Sequence, residues 1–302
     1  MKPKLASAPV TWGVWEQTTE RNDLIPPEQL LDAVQELGFT GIELGPPGYF
    51  GGSGEEAAAA VNAHGLALVG GFVPLHLADE DAYAEDIGVW LDPIVDALAA
   101  AGAEGPAVLA DAGNPERAAA AGKPAELERT ALTGDAFKRA AERVDRAAAR
   151  CRERGVAAVF HHHLGTYVES PAEIAALLEH SQVDLCYDTG HAVAGGGDAV
   201  EVARLCSDRI AHFHVKDVDG GVLEDLRTGR VDMQTAWAGG IFCPLGEGVV
   251  DLAAVLAAPG LADFSGWVVL EQDRVAVSVD DLARLTETEG RNLAAARAAF
   301  AA

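Results

Sequence analysis

The chain has 302 residues, of which 49% are hydrophobic and 23% are charged. This balance is typical of a globular protein, and the length suits one large domain. No apolar run approaches the roughly 20 residues that a membrane-spanning helix needs, so we expect no membrane partner. The 47 acidic residues outnumber the 22 lysines and arginines, giving a formal net charge of −25. A surface this acidic repels nucleic acid, which we therefore exclude as a partner.

The cysteines and the N-terminal residues favour a cytoplasmic location. The four cysteines are scattered and form no Cys-x-x-Cys pair, which argues against a zinc ribbon or redox dithiol and fits a reducing compartment. The first four residues, Met-Lys-Pro-Lys, carry charge, but no apolar signal core follows them.

Strand-like and helix-like segments alternate along the whole chain. The predicted strands are short and apolar, and they lie near residues 4–10, 40–45, 66–73, 106–110, 156–161, 183–187, 210–215 and 266–271. Helical patterns lie near 28–38, 54–64, 80–101, 134–154, 171–180, 198–207, 250–258 and 279–299. Ser170, Pro171 and Glu173 form a capping box that opens the fifth of these helices. Eight strand–helix pairs predict an α/β fold, a (β/α)8 TIM barrel that spans 1–302 as a single domain.

Such barrels place their chemistry in the loops after the strands, and the fifth predicted strand ends in three histidines. Because alternate side chains of a strand share a face, His161 and His163 point one way and His162 the other. Two imidazoles on one face at the barrel mouth predict a functional site. We expect His162 to pack under the neighbouring helix.

The next two strands end in further candidates. Asp188 closes its strand, and His191 follows three residues later, so the carboxylate can bind a metal while the imidazole lies near the substrate or behind the ligands. On the seventh strand His212, His214 and Lys216 share one face. His214 is nearer the strand end and is the better ligand, and we expect His212 to fill the barrel layer below it. Lys216 is placed to donate to a substrate oxygen or to stabilise an enolate.

The remaining candidates come from the first three strands and the last. Glu271 ends the eighth strand and completes a nitrogen–oxygen set that suits Mn, Co, Mg, Fe or Zn without choosing among them. Glu43 closes the second strand and Trp12 follows the first, where tryptophan commonly stacks on a sugar or cyclitol ring. His76, after the third strand, is a weaker candidate for substrate binding. The loop from 216 to 248 is the longest, and we expect it to cap the mouth.

Taken in order, these motifs resemble the xylose isomerase-like barrels, a superfamily of sugar isomerases, epimerases, dehydratases and the endonuclease IV group. The resemblance covers nearly the whole chain and is greatest to the inosose dehydratase subgroup. It rests on residues 8–12 (Ala-Pro-Val-Thr-Trp), 160–166 (Phe-His-His-His-Leu-Gly-Thr), 187–191 (Tyr-Asp-Thr-Gly-His) and 212–218 (His-Phe-His-Val-Lys-Asp-Val), with Trp267 four residues before Glu271.

The resemblance implies a divalent metal held at the ends of the last four strands. Asp188, His214 and Glu271 match three positions of the family's usual Glu-Asp-His-Glu set. His161 stands where the family usually has the first glutamate, so it binds either the metal or only the substrate. We include it as the fourth predicted ligand. A second departure is the short Glu-Gln-Asp stretch at Glu271, where a longer acidic stretch is expected of the subgroup.

The implied reaction is dehydration of a polyhydroxylated keto compound such as an inosose. A base removes the proton next to the ketone, and a second group protonates the departing hydroxyl. His163 and His191 each suit either role, and Lys216 suits the enolate oxygen. The main alternative is a ketose isomerase or epimerase on the same scaffold, in which the proton returns and no hydroxyl leaves.

Two other classes of function fit the resemblance less well. An endonuclease acting at abasic sites needs more metal ligands and a cationic groove, which the acidic composition argues against. A barrel that binds a sugar without turnover needs no metal. Relatives often pair, and the sequence leaves open whether this chain forms a homo-oligomer.

Overall fold

Short apolar segments, buried on both faces, form the strands of one parallel sheet in the computed structural model, which describes residues 3–275 and 277–301. The strands of this sheet are β1 (Lys4–Ser7), β2 (Gly41–Ile42), β3 (Ala67–Leu68), β4 (Gly71–Leu75), β5 (Ala107–Asp111), β6 (Ala158–His161), β7 (Asp184–Asp188), β8 (Ile210–Val215) and β11 (Trp267–Leu270). A separate antiparallel pair consists of β9 (Asp217–Val218) and β10 (Phe242–Cys243).

The two edges of the sheet belong to one continuous segment of the chain, which closes the sheet into a barrel. Its strand order is β3-β2-β1-β11-β8-β7-β6-β5-β4. The two edge strands, β3 and β4, are consecutive parts of one predicted strand, interrupted only at residues 69 and 70. These two parts occupy one position, so the ring has eight strand positions and confirms the predicted TIM barrel.

Helices surround the sheet, and all eight predicted helical segments are present. The helices are α1 (Pro27–Leu37), α2 (Gly54–Ala63), α3 (Glu80–Asp86), α4 (Asp92–Ala101), α5 (Pro115–Ala120), α6 (Pro124–Thr130), α7 (Asp135–Glu153), α8 (Pro171–His180), α9 (Thr189–Ala194), α10 (Ala199–Cys206), α11 (Gly220–Arg227), α12 (Met233–Ala238), α13 (Leu252–Leu256) and α14 (Leu282–Ala299). A π-helical turn, Ile87–Leu91, joins α3 to α4. The predicted long loop contains β9, α11, α12 and β10. Within the described ranges, no helix combines the length and hydropathy that crossing a bilayer requires.

The strand register brings the candidate residues to one end of the barrel. Asp188 pairs with His214 across β7 and β8. The pairing of β8 with β11 ends at Leu270, so Glu271 follows at the next level. The carboxyl ends of these parallel strands therefore present their side chains around one small volume.

A buried arginine fixes the loops on one side of this mouth. Arg117 is fully buried, and it donates to the carbonyl oxygens of Thr166 at 2.7 Å and Leu127 at 3.0 Å. Its guanidinium also lies 2.9 Å from a carboxylate oxygen of Glu173, which caps α8 through the predicted capping box with Ser170. One side chain thus ties α5, α6 and α8 to the segment that follows the triple histidine.

We predict that Arg117→Met lowers the free energy of unfolding by about 3–5 kcal/mol, because Glu173 then keeps a buried charge without its cation. Urea denaturation of the purified variant measures this loss. The matched control is Arg129→Met, which removes an exposed i,i+3 pair with Glu126 and should cost less than about 1 kcal/mol. Equal losses in the two variants would contradict a structural role for the buried pair.

Candidate metal centre

The four predicted ligands converge in the barrel mouth. The ligand atoms of His161, Asp188, His214 and Glu271 all lie within 4.8 Å of one another. All four residues are at most 8% exposed. Each belongs to the carboxyl end of its strand, at the end of β6, β7 and β8 or directly after β11.

These atoms converge without bonding one another, as ligands of a shared cation do. Asp188 Oδ2 is 3.8 Å from both His161 Nε2 and His214 Nδ1. His214 Nδ1 lies 3.0 Å from Glu271 Oε2, yet these two atoms are not aligned as a hydrogen bond. Asp188 Oδ2 and His214 Nδ1 are both buried, and neither has a hydrogen-bond partner in the described part of the chain. Two imidazole nitrogens and two carboxylates in this arrangement fit a divalent metal.

Glu43 orients the imidazole of His214 from below. Its Oε1 lies 2.9 Å from His212 Nε2 and 3.1 Å from His214 Nε2. A carboxylate oxygen accepts, so each ring carries a proton on Nε2, and Nδ1 is the nitrogen of His214 that faces the other proposed ligands. A Cβ on Gly70 would lie 2.9 Å from Glu43 Oε1, so the glycine leaves room for the carboxylate. We therefore revise the predicted substrate-binding role of Glu43 to positioning, while His212 fills the lower layer as predicted.

His162 supports the metal set through the backbone. Its ring is fully buried on the opposite face from His161 and His163, as strand alternation predicts. His162 Nε2 accepts a hydrogen bond of 3.3 Å from the amide of Asp188. Burial lowers the pKa of His162 to about 4, so the ring stays neutral and keeps the lone pair that this bond needs.

Lys216 neutralises much of the negative charge. Its ammonium lies 3.2 Å from Asp188 Oδ2, 3.0 Å from Glu271 Oε2 and 2.8 Å from Asp273 Oδ1. Burial alone would lower the pKa of Lys216, but the three carboxylates hold it well above its ordinary value. A Cβ on Gly190 would lie 2.7 Å from Lys216 Cγ, so the glycine of the Asp-Thr-Gly-His motif leaves space for the lysine stem.

His163 and His191 form a neutral imidazole pair beside the metal set. Their ring centroids are 3.9 Å apart, with 37° between the ring planes. Burial, together with the charge of Lys216, lowers the pKa of His163 to about 4. Burial and the neighbouring His163 lower the pKa of His191 well below its ordinary value. Both rings are therefore uncharged at neutral pH, the state in which imidazole accepts a proton.

Asp273 is a site residue that the sequence interpretation missed. It binds Lys216, and its Oδ2 lies 3.5 Å from His191 Nε2. Burial raises the pKa of Asp273 to about 6, although the lysine opposes this. Asp273 follows Glu271 by two residues, so alternation in an extended segment was a signal that could have found it.

Three residues at the rim of the mouth were not predicted as site residues from the sequence. Trp237 on α12 lies with its ring 6.0 Å from His163 and 6.3 Å from Trp15, which follows the first strand. Glu16 is half-buried next to Trp15, and its pKa is raised by burial and by the charge of Glu271. These three side chains surround the entrance above the imidazole pair.

Two predicted substrate-binding residues are held by contacts within the protein. Trp12 is 1% exposed, belongs to the hydrophobic core and donates its indole N–H to Ser7 Oγ at 3.0 Å. The 3-10 helix Pro9–Trp12 turns this ring inward, so we revise it to a core residue. The side chain of His76 is 47% exposed, and its Nδ1 lies 2.9 Å from Asp86 Oδ2.

Comparison with known proteins identifies the family. The model of the xylose isomerase-like TIM barrel family matches residues 31–290. The chain belongs to this family. It is 30% identical to an inosose dehydratase of Geobacillus kaustophilus (strain HTA426), over 90% of this chain and 87% of that protein. It is also 30% identical to the rhizopine catabolism protein MocC of Rhizobium meliloti, over 99% of this chain and 93% of that protein.

Solved structures share the fold at low sequence identity. The IolI protein, solved with a bound zinc atom, superposes with a TM-score of 0.70 at 14% identity, covering 98% of this chain and 99% of that one. An L-ribulose 3-epimerase superposes with a TM-score of 0.69 at 15% identity, covering 99% and 94%. At these identities the likeness shows the barrel fold alone.

We predict that Glu43→Gln weakens metal affinity about 10- to 100-fold, because the neutral amide oxygen accepts more weakly than the carboxylate from His212 and His214 and holds the ligand ring less firmly. Titration of the metal-free protein with Zn²⁺ or Mn²⁺ against a competing chelator measures the affinity. Glu247→Gln, a change at an exposed glutamate, is the matched control and should leave affinity unchanged. An unaltered affinity in Glu43→Gln would exclude the positioning role.

Proposed function

We propose that this protein is a metal-dependent carbon–oxygen lyase that dehydrates a keto-cyclitol, an inosose, through an enolate intermediate. The observation that carries the proposal is the buried set His161, Asp188, His214 and Glu271 directly beside a neutral imidazole pair. The inosose dehydratase relative, matched over most of both chains, supports the choice of reaction and substrate.

The residues supply each requirement of the reaction. A divalent metal held by the four ligands would polarise the ketone and acidify the proton on the adjacent carbon. A neutral imidazole of the pair accepts that proton. The Lys216 ammonium, excluded from water, stabilises the negative charge that develops on the enolate oxygen. The hydroxyl on the next carbon then leaves with a proton as water.

Trp15 and Trp237 are the proposed substrate contacts in place of Trp12. Both rings are half-buried at the entrance, and neither indole N–H has a hydrogen-bond partner among the residues that the structure describes. A cyclitol offers an apolar C–H face to an aromatic ring and hydroxyl oxygens to an indole N–H. These two tryptophans therefore suit a polyhydroxylated ring.

The epimerase alternative uses the same metal, enolate and base. It differs only in the fate of the intermediate, since the proton returns to carbon and the hydroxyl stays. The 3-epimerase structure shares the fold with this chain and carries no further weight at 15% identity. Product analysis separates the two reactions.

We predict that the metal-loaded protein converts scyllo-inosose to a product lighter by one water, with growing dione absorbance, and that a chelator abolishes the reaction. Mass spectrometry and ultraviolet absorbance measure this directly. Asp188→Asn should lower kcat/KM by more than about 100-fold. Losing a group that only supports a metal ligand costs up to about 100-fold, and Asp188 is a proposed ligand itself. A product of unchanged mass would contradict the lyase and favour the epimerase.

We predict that Trp237→Phe raises KM about 5- to 10-fold with little change in kcat, because it keeps the aromatic face and removes one hydrogen bond of about 1 kcal/mol. Steady-state kinetics measure both constants. Trp90→Phe, on the π-helical turn outside the mouth, is the matched control and should leave KM unchanged. A normal KM in Trp237→Phe would remove this tryptophan from the substrate site.

A further inference from the structure

The short segment that follows β11 divides its side chains between two faces. Glu271 and Asp273 turn into the mouth, where their carboxylates lie 3.0 and 2.8 Å from the Lys216 ammonium. The alternate residues, Gln272 and Arg274, turn the other way and are buried against α14. This segment is not part of a strand, so contacts outside the sheet hold the alternation.

Four polar side chains on the face opposite Lys216 form a connected network, which we call the α14 network. Its members are each at most 9% exposed, and they are Gln272, Arg274, Glu289 and Asn292. Glu289 Oε1 accepts from Arg274 at 2.9 Å and from Asn292 at 3.1 Å. Gln272 Oε1 accepts from the same two side chains. The segment after β11 is therefore tied to α14 by several bonds at once.

The guanidinium of Arg274 joins three separate parts of the chain. Its Nη1 donates to the Thr11 carbonyl oxygen and to Glu289, and its Nη2 donates to Gln272. Thr11 follows β1, Glu289 belongs to α14, and Gln272 follows β11. The donors of a guanidinium lie in a rigid plane, so they fix direction as well as distance, whereas a lysine ammonium is a point charge. Arg274 thus holds its own segment from the side away from the mouth.

The α14 network also reaches β10. Gln272 Nε2 donates to the Phe242 carbonyl oxygen at 3.1 Å, and the amide of Leu245 donates to Asn292 Oδ1 at 2.9 Å. The centroid of the Phe242 ring lies 4.8 Å from the Lys216 ammonium, within the range of a cation–π contact. The network therefore supports both the carboxylates and the aromatic ring that surround this lysine.

We propose that Arg274 and Glu289 are positioning residues, which hold the segment after β11 so that Glu271 and Asp273 face Lys216 and the proposed metal. The effect on the metal rests on the proposed function, whereas the contacts with Lys216 rest on the structure alone.

The competing role for this ion pair is to dock α14 onto the barrel. A buried ion pair adds little stability over apolar side chains of similar size, and its best-attested use is to fix register. A pair that only docked the helix could be replaced by apolar side chains without any effect on metal binding. Stability and metal affinity measured on the same variant therefore separate the two roles.

The double variant Arg274→Met/Glu289→Leu tests the proposal on the full chain. Both charges are removed together, so the urea midpoint should stay near that of wild type. We expect Zn²⁺ to bind about 10- to 100-fold more weakly, in titrations of the metal-free protein against a competing chelator. The matched control, Arg291→Met/Glu287→Leu, changes an exposed pair on the same helix and should keep the wild-type affinity. A wild-type zinc affinity in the folded double variant, or an equal loss in the control, would overturn the proposal.

Arg274→Lys is a second test that keeps the buried charge pair and so guards against misfolding. One ammonium cannot bond Thr11, Glu289 and Gln272 at once, so we expect a folded protein that binds Zn²⁺ about 10-fold more weakly. A wild-type affinity in this variant would also overturn the proposal.

Crystal structures of the wild type and these variants decide the positioning without reference to the metal. We expect the Lys216 ammonium to lose its contact with Glu271 or Asp273 in the variants. Unchanged distances to both carboxylates would contradict the proposal. A wild-type protein that binds no zinc refutes the proposed metal centre, while these distances still decide whether Arg274 and Glu289 position the segment.

Discussion

The concentration of buried negative charge in the barrel mouth is the constraint on which the rest of the site depends. Glu43, Asp188, Glu271 and Asp273 are each at most 8% exposed and lie at the ends of neighbouring strands or just beyond them. A buried carboxylate costs several kcal/mol unless a cation or hydrogen-bond donors compensate it. Lys216 supplies one positive charge to three of the four, so the remaining negative field favours a divalent metal.

Hydrogen bonds fix most of the imidazoles that surround this charge. Glu43 fixes His214, and the amide of Asp188 fixes His162. The backbone carbonyl and amide groups of Leu164 contact His163 and His191. These contacts restrict the orientation of each ring. Residues outside the proposed ligand set thus fix the direction in which these rings point.

Local periodicity was enough to predict the strands and their faces, whereas features that depend on contacts between distant segments were missed. Strand alternation correctly placed His161 and His162 on opposite faces, because a strand has a period of two. It could not show that a 3-10 turn buries Trp12 in the core. Glu43 gained its positioning role from histidines about 170 residues later in the chain. Trp237 lies on a short helix in a loop whose folding no periodic pattern indicated.

The most direct test of the central claim is anomalous diffraction from crystals of the zinc-loaded protein. We predict a single peak about 2.0–2.3 Å from His214 Nδ1, a nitrogen of His161 and carboxylate oxygens of Asp188 and Glu271. Lys216 should remain beside Asp273 in the same map. A peak among His163, His191 and Asp273, or one that excludes His161, would contradict the account.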